Sequence, residues 1–208
     1  MQTLTGNIQL LEVQDQRVMS WKNGGGVTRE LAVYPADAGL GGNPFLWRIS
    51  IADVAADGPF SAFPGYDRSI MLIAGKGMEL TMQDEPSVQV SSHYRPLRFS
   101  GDVQTRCRLL DGPVRDFNVM SARGKFGHRC EAISGGAATA TWQRSLETLF
   151  CHCLHGRLIV KLRDSAEWNL TAGQSIWFPA EVSPETIQIL LVPNSPAAIA
   201  VLVTLQNA

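Results

Sequence analysis

No stretch of this chain is apolar over the roughly 20 residues that a membrane-spanning helix requires. No basic segment followed by an apolar core opens the sequence, so the expectation is a cytoplasmic, bacterial-type protein. Charge of one sign is missing as well. Lys and Arg total 18 against 19 Asp and Glu, leaving −1, which argues against nucleic acid or an anionic membrane surface as partner. Cysteine is scarce: Cys107, Cys130, Cys151 and Cys153 in 208 residues make no disulfide framework and read as reduced thiols. Apolar residues at 45 % and charged residues at 18 % exclude a disordered chain and leave room for one large domain or two small ones. Several catalytic signatures are absent too. There is no Gly-x-Ser-x-Gly elbow and no Gly-x4-Gly-Lys-Ser/Thr loop, and Gly24 to Gly26 do not stand between a strand and a helix as a dinucleotide fingerprint must. A Cys–His hydrolase would have to be assembled from distant parts of the chain.

What is present is strand. "VTRELAVYP" alternates, with Val27, Leu31 and Val33 on one face and Thr28 and Glu30 on the other. "FLWRISIADV" sets Trp47, Ile49 and Ile51 opposite Arg48, Ser50 and Ala52. "SIMLIAGKGMELTM" reads as a hairpin whose first strand is buried on both faces. Further strands are expected in "RCRLLD", "DFNVMSA", "HRCEAI", "ATATWQR", "LFCHCLHGRLIVKLR", "QSIWFP", "IQILLVP" and "SPAAIAVLVTLQ". Short strands at close spacing, with Gly, Pro and Asp between them, predict an all-β sandwich or barrel.

A repeat refines that. "RSIMLIAGKGMELTM" to "LRFSGD" (Arg68–Asp102) and "ETLFCHCLHGRLIVKL" to "LTAGQSIWFP" (Glu147–Pro179) share an apolar strand, a glycine turn and an alternating strand. A glycine and polar residue follow after a gap: Gly101-Asp102 in the first, Gly173-Gln174 in the second. The cadence resembles the cupin barrel, and two copies imply a bicupin: two jelly-roll β-barrels in one chain, residues 1–124 and 125–208, with strands free to exchange between them. Many cupins hold a metal through His-x-His-x3-Glu and a later His. Counting from the turn glycines places those positions on Ala62, Pro64, Arg68 and Gly112, and on Gln143, Ser145, Leu149 and Pro184. None carries an imidazole or carboxylate, so no metal and no other cofactor is expected. "CHCLH" would put Cys151, Cys153 and His155 on one strand face with ligand types suited to zinc, yet side chains two apart along a strand spread too far to converge easily. Buried cysteines and a turn histidine are the simpler reading. His93 and His128 are isolated.

Polar residues gather in the first half. "SWKNGGGVTRE" places Trp21, Lys22 and Asn23 ahead of Gly24 and Gly25. Thr28 and Glu30 share a strand face, Arg48 and Ser50 share another, and "PGYDRS" brings Asp67 and Arg68 to the most apolar strand. If Trp47, Ile49 and Ile51 pack outward, Arg48 points into the barrel. An unpaired buried guanidinium costs several kcal/mol, so it needs an acidic partner (Glu30, Asp67, Asp111 or Asp116) or an anionic ligand. Either a structural Arg–carboxylate network or a pocket for a carboxylate-bearing metabolite meets that need. The planar guanidinium fork matches a carboxylate with two parallel hydrogen bonds.

"WKNGGGVTRELAVYP", "FLWRISIADVAADGPFSAFPGYDRSIMLIAGKGMEL" and "FSGD…LLDGPVRDFNVM" resemble the HutD/Ves family. The match covers nearly all of the first barrel and the approach to the second. The resemblance implies a bicupin, encoded among histidine-utilisation genes, that modulates that pathway, with formylglutamate or urocanate as suspected ligand; the Ves branch is linked instead to stress. It also implies that Trp21, Lys22, Asn23, Gly24, Gly25, Thr28, Glu30, Trp47, Arg48, Ser50, Asp67 and Arg68 fall in the family's characteristic strings. The expected partner is a small anionic metabolite, and a homodimer through exposed sheet edges is compatible with the fold. The alternative is an enzyme acting on a small carboxylate by acid–base chemistry through Glu30 or Asp67.

Overall fold

The structure, a computed structural model, describes residues 8–39, 43–83, 85–134, 139–143, 147–162, 166–180, 186–191 and 198–208. Ser145 and Pro184 of the metal count, part of the small-residue stretch "ISGGAATAT" and the start of "SPAAIAVLVTLQ" lie outside them. The described residues are strands joined by turns, with one 3-10 turn at Val13–Asp15. In chain order the strands are β1 (Gln9–Leu11), β2 (Arg17–Ser20), β3 (Gly26–Tyr34), β4 (Trp47–Val54), β5 (Gly58–Phe60) and β6 (Tyr66–Ala74). Next come β7 (Met78–Met82), β8 (Val88–Val90), β9 (Pro96–Ser100), β10 (Thr105–Leu109), β11 (Val114–Ala122) and β12 (Phe126–Ser134). Then follow β13 (Thr139–Gln143), β14 (Thr148–His155), β15 (Arg157–Leu162), β16 (Ala166–Thr171), β17 (Ser175–Phe178), β18 (Thr186–Leu191) and β19 (Ile199–Asn207).

The chain divides into two compact units, one built from residues 16–128 and the other from residues 1–15 and 129–207. The expected first domain, residues 1–124, differs from this at both ends: β1 hydrogen-bonds to β17 and belongs with the second unit. The first unit holds a six-stranded sheet, β2-β3-β4-β11-β6-β9, and a four-stranded sheet, β5-β10-β7-β8. The second unit is built on β12-β19-β14-β17-β1 and β13-β18-β15-β16. The run β4 to β11 is thus repeated, strand for strand, by β12 to β19, the two-sheet jelly roll of a bicupin.

Two readings of the turns need correction. "SIMLIAGKGMELTM" is a corner, not a hairpin, because β6 and β7 lie in different sheets. Gly75 and Gly77 take φ of 92° and 127° there, in the region glycine alone enters without strain. A Cβ on Gly75 would also stand 2.6 Å from the Pro113 carbonyl oxygen. β14 and β15 change sheets likewise at Gly156, whose φ is 74°. Gly101-Asp102 and Gly173-Gln174 are not equivalent: the second precedes β17, whose counterpart is β9, so its true match is the turn around Tyr94, with φ of 64°. A glycine followed by a polar residue marks turns in general, which is why it misaligned the copies. In β3 the register shifts between Glu30 and Ala32, placing Val33 opposite Arg48. That bulge flips the face expected for Val33.

Candidate functional site

Residues paired directly across antiparallel strands share a face, so the register of the six-stranded sheet defines its floor. One row runs Arg48, Met120, Arg68 and Phe99 across β4, β11, β6 and β9. The next runs Glu30, Ser50, Asn118 and Ile70, and the one beyond it Thr28, Ala52, Asp116 and Leu72. Trp47, Ile49, Phe117 and Val119 are buried on the opposite face. Over this floor lies a cavity of about 690 Å³, within the usual range for a small-molecule site.

The β2–β3 turn forms one wall. Asn23 Oδ1 accepts from the Gly25 backbone N–H at 3.0 Å, an Asx turn that explains the asparagine. Gly24 supplies φ of 71°, and a Cβ on Gly26 would stand 2.5 Å from the Asp53 carbonyl oxygen. The Trp21 indole N–H donates to Thr28 Oγ1 at 2.8 Å and meets the Phe60 ring edge-on at 6.2 Å. Lys22 and Asn23 are exposed and reach the cavity at its rim.

The two arginines of the floor differ. Arg48 Nε donates to Glu30 Oε2 at 2.7 Å, while Arg17 takes Glu30 Oε1 at 2.9 Å, so Arg48 has its carboxylate. Arg68 has none. It is 5 % exposed and, among the described residues, forms no ion pair. It donates to the Ser61 carbonyl oxygen at 3.1 Å and Asn118 Oδ1 at 3.5 Å, and its Nε lacks a partner. The rings of Phe63 and Phe99 flank the guanidinium at 5.3 and 4.9 Å, each such contact contributing on the order of 1 kcal/mol. Desolvation by burial pulls its pKa down to about 10, partly opposed by Asp116 and reinforced by Arg48; the side chain stays cationic at neutral pH. Asp116 is fully buried. Its Oδ1 accepts from Asn118 Nδ2, while Oδ2 has no partner among the described residues. Burial pushes its carboxyl up to about 7 against the opposing pull of Arg68.

Of the expected residues, Trp21, Lys22, Asn23, Thr28, Arg48, Ser50 and Arg68 line the cavity. Glu30 stands behind Arg48 as its counter-ion. Four do not belong. Gly24 and Gly25 shape the turn without lining the cavity. Trp47, 1 % exposed, stacks on Tyr34 at 5.7 Å on the far face. Asp67 leaves the cavity for Arg123 Nε at 2.9 Å. Both side chains neighbour an inward arginine in an extended strand, and successive side chains point to opposite faces. Asn118, Met120 and Asp116 of β11, Ser61 and the aromatic Phe60 and Phe63 are among the further lining residues. The alternation of "VRDFNVMSA", with Asp116, Asn118 and Met120 against Phe117 and Val119, carries the signal for three of them.

The donor set does not fit a cupin-type metal. Arg68 stands on one counted ligand position, two guanidinium groups face the cavity, and among the described residues no three His, Cys, Asp or Glu side chains come together in ligand geometry. Cys151 and Cys153 lie in the core of the second unit, their thiol pKa values raised by burial. The register shift between Cys153 and His155 takes His155 off their face.

Sheet order, the corner glycines and an inward polar floor define a cupin-type bicupin. The HutD family model matches residues 13–194, and the chain belongs to the HutD family. It is 41 % identical over 128 residues to an uncharacterised 21.2 kDa Pseudomonas putida protein of the hutC 3' region, a match covering 62 % of this chain and 65 % of that one. It is 32 % identical to Protein Ves of Citrobacter koseri, over 87 % of this chain and all of that protein. Among solved structures, a conserved Pseudomonas aeruginosa protein of unknown function superposes with a TM-score of 0.86 at 30 % identity, covering 96 % of this chain and 99 % of that one. HutD from Pseudomonas fluorescens superposes at 0.77 and 30 % identity, covering 97 % and 100 %. Oxalate decarboxylase from Lactobacillus farciminis, at 0.70 and 10 % identity over 98 % of this chain and 87 % of that one, shares the fold alone.

Proposed function

We propose that the protein is a cytoplasmic bicupin that binds a small carboxylate metabolite without a metal and modulates histidine utilisation. The observation that carries the reading is Arg68: a buried cation with no carboxylate of the described residues at ion-pair distance, on the floor of a cavity of about 690 Å³. Leaving it unpaired costs several kcal/mol, and an anionic ligand relieves that cost. Arg48 adds a second N–H fork, while Ser50, Asn118 and Thr28 orient the ligand. Trp21, Phe60, Phe63 and Met120 enclose an apolar carbon body. Membership of the HutD family and the hutC-region relative support the link to histidine breakdown, and formate, named as the condition of the Pseudomonas fluorescens structure, is the smallest probe.

The test is calorimetric titration at neutral pH with N-formyl-L-glutamate, urocanate, glutamate and formate, using wild type, Arg48→Ala and Arg68→Ala. Binding by at least one of these acids, with a matching rise in melting temperature and loss in Arg68→Ala, is the expected result. Absence of heat and of thermal stabilisation with all four sinks the reading.

A further inference from the structure

The proposed carboxylate site leaves one group unexplained. Asp116 sits at the opposite end of the polar floor from the arginine row, fully buried, and is joined to Arg68 through one side chain. The Asn118 amide donates to Asp116 Oδ1 and accepts from Arg68 Nη2. Asp116 Oδ2 and Arg68 Nε have no partner among the described residues. Glu30 answers both Arg48 and the part-exposed Arg17, so the balance at Arg68 itself rests on Asp116, at one remove. A ligand carboxylate closing on Arg68 upsets that balance, because two buried anions then share one cation.

Resting on that reading of the site, we infer that the cavity takes up its acid together with one proton, and that Asp116 is the residue that accepts it. The proton comes from solvent and goes to Oδ2, since Oδ1 already accepts from Asn118. Asp116 thus acts as a positioning residue. Ionised, it holds Arg68 through Asn118 and opposes an incoming anion. Protonated, it hands the whole of the Arg68 charge to the ligand.

The surroundings agree. Besides Arg68 on β6, the charged group acting on Asp116 is Asp53 on β4, while Arg48 acts on Arg68. Asp53 is itself held by Arg115 at 2.5 Å and Arg29 at 3.7 Å, and it raises the Asp116 pKa further. From the facing sheet comes the Cys107 thiol on β10, whose pKa burial pushes up to about 12, so it stays neutral and supplies no counter-charge. Burial, opposed by Arg68 and the Asn118 hydrogen bond and reinforced by Asp53, already holds Asp116 at about 7, and a second anion on Arg68 drives that value upward. A proton taken up on binding makes affinity fall as pH rises, approaching tenfold per pH unit above the pKa of the free protein.

The experiment titrates N-formyl-L-glutamate and glutarate into wild type from pH 5.5 to 8.5, in buffers of differing ionisation enthalpy so that proton uptake is counted directly. Expected are uptake of close to one proton near pH 8 and affinity weakening by about tenfold per unit there. Asp116→Asn, which mimics the protonated state, should bind at pH 8.5 as tightly as wild type binds at pH 5.5, with no uptake. If wild type binds with flat affinity and no proton uptake, the inference is overturned while the carboxylate site stands. If Asp116→Asn keeps the full pH dependence, another group carries the proton and the inference is again overturned. The buffer series on wild type decides the matter even if the variant does not fold. If neither acid binds at any pH, and the four acids of the earlier titration also fail, the carboxylate reading falls and this inference with it.

Discussion

The two units carry the same strand order, and their inner faces differ at the positions that make a site. Arg68 and Leu149 stand equally far ahead of the corner glycines Gly75 and Gly156. Met120 lies opposite Arg68 and Thr204 opposite Leu149; one row on, Asn118 answers Ile70 and Leu202 answers Cys151; beyond that, Asp116 answers Leu72 and Ala200 answers Cys153. Arg68, Asn118 and Asp116 thus become Leu149, Leu202 and Ala200. Those second-unit residues join Cys151, Ile176 and Phe178 in a buried cluster, and these six are each at most 2 % exposed. Among the described residues of the second unit, these rows form part of a buried apolar core. Three differences at matched rows, helped by Arg48 and Ser50 from β4, separate the polar cavity of one copy from the apolar face of the other.

The comparison breaks most violently by moving the carboxylate across. Ala200→Asp places an unpaired acid in the apolar face of the second unit and should cost about 3–5 kcal/mol, read by urea unfolding at pH 8. A cost below about 1 kcal/mol would mean that this face has room and water, and the contrast between the units would fail. The reverse exchange gives the first unit the residues of the second. Arg68→Leu with Asp116→Ala should abolish carboxylate binding by at least about a hundredfold, the loss expected when a desolvated charge partner is removed. Stability should hold or rise, because buried ions replaced by apolar groups are often neutral or better. Retained affinity would place the site elsewhere.

A smaller effect sharpens the difference in pH behaviour. The Asp116 carboxyl is raised in the folded state from its ordinary value to about 7. Below the unfolded-state pKa it is protonated in both states and has no effect. As pH rises from about 4 to 7 the unfolded chain loses the proton first, and the native state is progressively destabilised. Asp116→Asn should therefore be more stable than wild type at pH 8, with the gap closing near pH 4. A gap constant across pH would contradict a buried, proton-retaining carboxyl.

Much of this was legible from alternation alone. "WRISIADV" sorts Arg48 and Ser50 from Trp47 and Ile49, and the chain's repeat gives the bicupin, because strand period and glycine turns are local properties; that those turns are corners between sheets is not. Other features were not legible. The short strands β2, β5 and β8 carry too few residues to show a period. The Glu30–Ala32 bulge, which turns Val33 to the other face, leaves no mark in the apolar pattern. The division of labour between the arginines is set across strands: Glu30 is far from Arg48 in sequence yet meets it at 2.7 Å, whereas Arg68 meets no acid at that range among the described residues. Asp116 was readable as a partner for a buried arginine but not as a fully buried acid, since burial on β11 depends on both sheets. The acid–base alternative placed on Glu30 or Asp67 meets a different geometry, with Glu30 engaged by two arginines and Asp67 outside the cavity.

The finest test separates the faces of a single strand. Asp67 and Arg68 are neighbours in β6, but extended backbone sends them to opposite sides. Asp67 pairs with Arg123 at 2.9 Å, and Arg123 also holds Asp102 at 2.7 Å. The Asp102 carboxyl is kept well below its ordinary range by the Gly65 N–H, Ser100 and Arg123. Asp67→Asn removes one acid from a partly exposed network that retains the other. The melting temperature should stay within about 2 °C of wild type, as for exposed ion pairs generally, and carboxylate affinity should be unchanged within twofold. A loss of affinity comparable to that of Arg68→Ala would show that both faces of β6 serve the ligand, and the sidedness on which the site is built would be wrong.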